Sequence, residues 1–342
     1  MILKLTFFER LLSRFHLLPT PVMDAFGGVL FGRALAIGLR RGFFEAVAAR
    51  PRSIDGIARA TGLSVNGAEL LAESFVLAGY LSRSKDAYIV SSEGRKWLVK
   101  SSPWYLGNLV QYFETLYARW NYLEQSLERG SPAKPYFEMF DEEDWKVYVL
   151  GMRDLARLLL PEIRSRLDLG SNPRNLLDLG CSHGLFAIDC CLRYPTLRAV
   201  LMDFAGAVQH AQTGVDEAGL SSRVRVVASD FMKSDLPMDM DCVLLFNIIH
   251  GFTEEENLKL VGRAFHTLRP GGKLFILDQM KGDPVRSHLA RFVPLMVGLN
   301  LLNEIGGNTY SYDQVRSWCS ESSSVKRHRL RIPGVTLVEV VR

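Results

Sequence analysis

Paired cysteines are missing from this 342-residue chain. Its five, Cys181, Cys190, Cys191, Cys242 and Cys319, are scattered, odd in number and never spaced C-x-x-C. That excludes a disulfide framework and a cysteine-built zinc site, and it reads as reduced thiols in a cytoplasmic protein. A long hydrophobic run is also missing. The longest candidate, FVPLMVGLNLLN (292–303), contains Pro294 and stops short of the roughly 18–20 residues a spanning helix needs. No membrane span is expected. The opening MILKLTFFERLLSRFHLL carries Glu9, Arg10 and Arg14, and no small-residue cleavage site follows, so it does not read as a signal peptide. Strong charge of one sign is absent too. The net value is +4, too mild to imply nucleic acid, although residues 1–100 hold 14 Lys and Arg against 8 Asp and Glu. Neither a G-x-G-x-x-G turn nor a G-x-x-x-x-G-K-[ST] loop occurs, which removes the usual dinucleotide and nucleotide phosphate cradles. No internal repeat or low-complexity segment breaks the ordinary globular balance of 48% hydrophobic and 23% charged residues.

What is present falls into two halves with different patterning. From about residue 34 to 100 the spacing predicts three helices and a hairpin. ALAIGLRRGFFEAVAA has helical spacing and stops at Pro51; Ser53 opens a second helix that Gly62 ends; Ser64 opens a third, running to Tyr80. YLSRSKDAYIV then reads as two short strands around Ser84–Asp86. This is a winged-helix arrangement. A DNA-reading helix needs basic or amide side chains, yet residues 64–80 have no Lys or Arg and carry Glu69 and Glu73. A protein–protein role is expected and nucleic acid is not. The Leu- and Phe-rich start fits a helix buried against a partner subunit; an interfacial membrane helix is the alternative. Residues 101–165 form a helical, aromatic-rich connector with Trp104, Tyr112, Trp120, Tyr136, Phe137, Phe140, Trp145 and Tyr148. Most of these belong to a core, and some line an apolar pocket. ERGSPAKP (128–135) is a loop.

From residue 166 to 342 strands and helices alternate: NLLDLG, RAVLMD, VRVVASDF, CVLLFNIIH and RPGGKLFILDQ, with helices between. Such alternation predicts an α/β domain with a doubly wound parallel sheet, whose ligands sit beyond the carboxyl ends of the strands. Asp178, Gly180, Asp203, Asp230, His250 and Asp278 all fall at or near those ends. The first turn, Asp-x-Gly-x-x-x-Gly, is followed by one acid closing the second strand and another closing the third. Two such acids suit ribose hydroxyls and an exocyclic amine bound without phosphates, as in S-adenosylmethionine. Helix capping is the bland alternative for Asp203 and Asp230.

LLDLGCSHG, AVLMDF, ASDF and LRPGGKLFILD resemble the class I S-adenosylmethionine-dependent methyltransferases. Residues 30–342 are similar to two-domain small-molecule O-methyltransferases, whose N-terminal winged helix (here 1–100) makes a homodimer. The resemblance implies a Rossmann-like sheet and a small-molecule acceptor. It places Asp178, Gly180, Cys181 and Gly184 at the methionine end of the cofactor, Asp203 and Phe204 at the ribose, Asp230 and Phe231 at the adenine, with Asn247 nearby. It makes His250 the general base and Asp278 the carboxylate that orients it, with no metal. Histidine suits the task because it titrates near neutral pH and can take a phenol or enol proton. A satisfied core histidine is the alternative. Two positions depart from the family pattern: Gly251–Phe252 replaces the usual Asp-Trp after the histidine, and Thr309 stands where a second carboxylate is expected. Methylation at nitrogen or carbon, use of the cofactor without methyl transfer, and a non-catalytic winged-helix regulator therefore stay open beside O-methylation.

Overall fold

A computed structural model of the chain describes residues 6–15, 17–134, 136–282 and 287–342. The apolar start and the loop at 128–135 lie partly outside the described residues, as does the side chain of Phe137. The chain divides into two compact units, Met1–Leu116 and Tyr117–Arg342.

The first unit begins with α1 (Phe7–Arg14) and α2 (Thr20–Arg40), then α3 (Phe43–Ala46). The helix expected from residue 34 starts earlier and is interrupted, because Gly42 adopts φ 68° and turns the chain between α2 and α3. Helix α2 is also longer and more apolar than expected. An 18-residue stretch of this 21-residue helix has a mean hydropathy of 1.5 and is 17% buried, enough by length and composition alone to cross a membrane. Asp24 and Arg33 interrupt the run in the sequence and hide it.

Strand β1 (Arg52–Ser53) leads into α4 (Ile54–Thr61) and α5 (Val65–Leu77), followed by β2 (Leu81–Ser84), β3 (Ala87–Val90) and α6 (Ser92–Leu98). Ser53 and Ser64 cap their helices as expected, accepting from the amides of Gly56 and Gly67, and Gly62 closes α4 at φ 68°. Strands β2 and β3 form the hairpin, and β1 pairs with β3 to give a three-stranded sheet. Phe43, Phe44, Phe75 and Ile57 fill the core, with Phe43 edge-on to Phe75 at 5.4 Å. Helix α7 (Gly107–Trp120) runs across the division between the units.

The second unit adds α8 (Leu123–Arg129), a 3-10 turn at Tyr136–Met139 and the long α9 (Glu142–Arg164). Then β4 (Asn175–Leu179), α10 (Leu185–Arg193), β5 (Arg198–Asp203), α11 (Ala205–Glu217), β6 (Val224–Ala228) and β7 (Met240–Phe246) alternate as predicted. After β7 come α12 (Glu254–Thr267), β8 (Leu268–Gln279), α13 (His288–Ile305), α14 (Tyr312–Ser317), β9 (Ser324–Arg329) and β10 (Val335–Val341). The seven strands run in the order β6-β5-β4-β7-β8-β10-β9. The first five are parallel, whereas β10 and β9 close the edge antiparallel. Consecutive residues of one strand feed opposite faces: Leu176 and Leu244 pack one core, Leu177 and Val243 the other. The order of the strands reverses between β4 and β7, which opens a crevice at their carboxyl ends.

Candidate active site

The turn after β4 lines one side of that crevice. Gly180 sits at φ 74° and Ser182 at φ 47°. A Cβ on Gly180 would lie 1.9 Å from Ile248 Cδ1, and one on Gly184 would lie 2.9 Å from Leu201 Cδ2, so both positions exclude side chains. The amide of Ser182 donates to Asp203 Oδ2 at 2.7 Å, and the amide of Phe204 donates to Oδ1 at 2.7 Å. Asp203 is therefore fixed by two backbone amides at the end of β5. Burial raises its carboxyl to about 6, against the downward pull of those amides. Asp178, inside β4, is raised further, to about 8, by burial and then by the neighbouring charge of Asp203. Cys181 is buried in the same turn, and burial holds its thiol well above the ordinary range.

His183 accepts from the Leu185 amide at 3.0 Å through Nδ1. Burial first, then Arg153 and Arg157, lower it to about 3, so it stays neutral. Asp230 follows β6 and accepts from the Met232 amide at 3.0 Å and from Lys233 Nζ at 2.9 Å; the Lys233 bond is the chief reason its carboxyl is lowered. Phe231 is buried edge-on to Phe252, while Phe204 is half exposed.

These features fit S-adenosylmethionine. Two buried carboxyls beside the crevice invite a cation and hydroxyl donors, the glycine turn admits close approach, and the buried Ser182 hydroxyl has no partner among the described residues.

The opposite side of the crevice starts at the end of β7, which is shorter than expected. The strand stops at Phe246. Asn247 takes φ 55° with its amide on Leu277 O at 2.7 Å, and a 3-10 turn, Ile249–Gly251, carries the histidine. Asn257 caps this turn, giving Nδ2 to the carbonyls of Ile249 at 2.7 Å and Phe252 at 3.1 Å. His250 is thus on a separate turn and not on the strand.

Its Nδ1 lies 2.6 Å from Asp278 Oδ1, and its amide donates to Oδ2 at 3.3 Å. Asp278 is 1% exposed and lies within β8, one residue before its end. The Gln279 amide also donates to Asp278 Oδ1, at 2.8 Å, and the Gln279 side chain reaches Asn247 Oδ1 at 2.9 Å. Thr309 points away from this pair: its hydroxyl donates to Pro294 O at 3.1 Å.

The aromatic residues of this side were expected in a core or an apolar pocket, but the buried Arg119–Glu304 pair was not foreseen. Tyr148 on α9 is pushed up by burial, and then by the charges of Asp203 and Glu304. Trp145, Phe140 and Tyr148 pack edge to face at 5.3–6.2 Å. The Trp145 indole covers Gly206, where a Cβ would meet Nε1 at 2.3 Å. Arg119 and Glu304 form a buried ion pair at 2.7 Å. Buried charge between helices is hard to foresee, because Arg and Glu normally mark exposed faces. The paired glycines Gly306–Gly307 were the nearest signal.

Residues 128–317 match the O-methyltransferase domain family. The chain is 26% identical over 332 residues to the 3-hydroxy-5-methyl-1-naphthoate 3-O-methyltransferase of Streptomyces sahachiroi, covering 92% of this chain and 93% of that one. It is 33% identical over 142 residues to the aclacinomycin 10-hydroxylase of Streptomyces purpurascens, covering 42% of this chain and 37% of that protein. The structure of human N-acetylserotonin methyltransferase in complex with S-adenosylmethionine matches with a TM-score of 0.82 at 18% identity, over 94% of this chain and 97% of that one. Because the matched domain takes in more than half of its length, the chain belongs to the S-adenosylmethionine-dependent O-methyltransferase family.

Proposed function

We propose that the chain methylates a hydroxyl on an aromatic or polyketide-like small molecule, with His250 as general base. The contact of 2.6 Å between His250 Nδ1 and buried Asp278 carries this reading. Asp278 accepts from Nδ1–H and so leaves Nε2 as the acceptor of the substrate proton. The carboxylate steadies the imidazolium that forms, and the walls of the crevice hold the oxygen in line with the methyl group. S-adenosylmethionine supplies an electrophilic methyl on a sulfonium sulfur. We assign Asp203 and Phe204 to its ribose, and Gly180, Cys181 and Gly184, with Asp178 behind them, to the methionine end. Asp230 and Phe231 serve the adenine edge, with Asn247 at the junction with the acceptor. The naphthoate-methylating relative supports an aromatic hydroxyl as the target.

A panel of hydroxylated naphthalenes and polyketide aromatics, incubated with methyl-labelled cofactor, tests this directly. Label on oxygen supports it; label on nitrogen or carbon redirects it. The hydroxylase relative and the absent second carboxylate favour one further reading, in which bound cofactor serves a reaction without methyl transfer. A product that gains oxygen but no labelled methyl would establish that instead.

Homodimerisation through the first unit belongs to the same proposal. Phe7, Phe8, Phe15 and Phe26 are 63–84% exposed, an apolar surface of the kind that marks an interface. Light scattering at micromolar concentration should give twice the chain mass, and a monomer would contradict it. DNA is not the expected partner: on α5, Glu73 is engaged with Arg83 at 2.7 Å and Tyr88 at 2.5 Å. All five cysteines are free and buried, in keeping with the cytoplasm.

A further inference from the structure

The turn that carries His250 is held from two sides. Asp278 binds the ring and the amide. On the other side, the Asn308 amide donates to His250 O at 2.9 Å, and Gly307 approaches so closely that a Cβ there would lie 2.1 Å from the same oxygen. Residues 307 and 308 immediately follow α13, which Gly306 ends at φ 74°. Wherever the last turn of α13 sits, the carbonyl of His250 must follow.

That last turn is fixed by polar groups buried deep in the unit. Glu304 is 2% exposed and Asn303 fully buried. Arg119 gives one guanidinium nitrogen to Glu304 Oε1 at 2.7 Å, and Asn300 Nδ2 donates to Oε2 at 2.8 Å. Trp120 Nε1 donates to Asn300 Oδ1 at 2.7 Å; Ser126 donates to Asn303 Oδ1 at 2.9 Å, and Asn303 Nδ2 reaches Arg119 O at 3.2 Å. The Arg119 guanidinium also lies 4.5 Å from the Phe140 ring centre. Apolar residues could fill this space at less desolvation cost. What they could not do is fix the rotation and register of α13 through directional bonds. The Thr309 side chain is turned onto Pro294 O and does not brace this turn.

We propose that Arg119 and Glu304 are positioning residues for His250: their ion pair sets the end of α13, and Gly307 and Asn308 transmit that setting to the His250 carbonyl. The inference rests on His250 being the base.

Glu304→Gln, Gly307→Ala and His250→Ala are to be compared with the parent enzyme on a hydroxylated naphthalene that the parent methylates. The readouts are single-turnover rate, affinity for the demethylated cofactor by calorimetry, the pH–rate profile and the His250 ring signals by NMR. Glu304→Gln and Gly307→Ala should each slow methyl transfer by about 10²-fold, the usual cost of a misplacement near 1 Å. Both should displace the acidic limb of the profile and shift the His250 ring signals, with cofactor affinity unchanged. A purely structural role would lower the melting temperature and leave rate, profile and ring signals alone.

A folded Glu304→Gln enzyme with parental turnover overturns the proposal, whatever Gly307→Ala does. If Glu304→Gln does not fold, Arg119→Lys takes its place, since it keeps the charge and loses the planar fork. If His250→Ala retains parental turnover, the base assignment and this inference fall together. If His250→Ala is inactive while the other two behave like the parent, only this inference falls.

Discussion

The two sides of the crevice are built differently. On the side we assign to the cofactor most polar contacts are short in sequence: His183 to Leu185 spans 2 residues, Asp230 to Met232 spans 2 and Asp203 to Phe204 spans 1, although Asp203 to Ser182 spans 21. On the acceptor side they are long. His250 to Asp278 spans 28 residues, Ser126 to Asn303 177, Trp120 to Asn300 180 and Arg119 to Glu304 185. A local loop can keep one unvarying ligand while the rest of the chain changes. An assembly gathered from α7, α8, α9, α13 and the turn after β7 can be reshaped by one substitution without touching the cofactor.

Damage to the acceptor side should spare cofactor binding, and the largest effect is expected there. His250→Ala should cut turnover by roughly 10²–10⁴ while calorimetry shows cofactor affinity intact. Asp278→Asn should lose less, because it weakens only the hold on Nδ1 and the stabilisation of the imidazolium. If His250→Ala lowers melting temperature but leaves the single-turnover rate alone, the histidine is there for packing.

Damage to the cofactor side should do the reverse. Gly180→Ala forces a side chain into φ 74° and onto Ile248 Cδ1, so it should lower both stability and cofactor affinity. Ile248→Ala in the same chain should restore part of the loss, because it clears the clash and leaves the backbone strain. Asp203→Ala should weaken cofactor binding by about 1–3 kcal/mol through lost ribose bonds. Unchanged affinity in Asp203→Ala would return that residue to holding its turn, since among the described residues its carboxylate accepts from two backbone amides.

The same contrast decides what could be read in the sequence. Ser53, Gly62 and Ser64 act on their own helix ends, so their effects were visible in a window of a few residues. The alternation of the second unit gave away the parallel sheet, and the acids at its strand ends gave away the crevice. The misjudged points were of two kinds, a nearby residue that breaks an apparent period and a distant partner that the local pattern does not reveal. NII continues an apolar run, yet Asn257 pulls it into a 3-10 turn. RRGFF continues a helical period, yet Gly42 breaks it. Glu304 and Arg119 look like surface charges until α7 and α13 meet. The apolar face of α2 was hidden by two charged residues in its run.

The smallest expected effect lies in pH, and it separates the two ligands of the cofactor side. Burial raises Asp178 to about 8 and Asp203 to about 6, both from 3.8. The folded chain thus holds protons that the unfolded chain has already released. Stability from this source is fully present below the unfolded pKa near 4 and is lost as pH rises toward 8. Asp178→Asn should flatten that slope in melting temperature, measured on the ligand-free protein.

The sulfonium charge of the cofactor favours the ionised carboxyls, so binding should release protons and tighten as pH rises from about 6 to 8. The demethylated product has lost the sulfonium charge and should show a weaker dependence over the same range. Calorimetry in buffers of different ionisation enthalpy counts the protons for each ligand. Equal proton release for both would mean that neither carboxyl senses the sulfur. The acids would then serve the ribose and the turn alone, and the preference for cofactor over product would have to arise on the acceptor side.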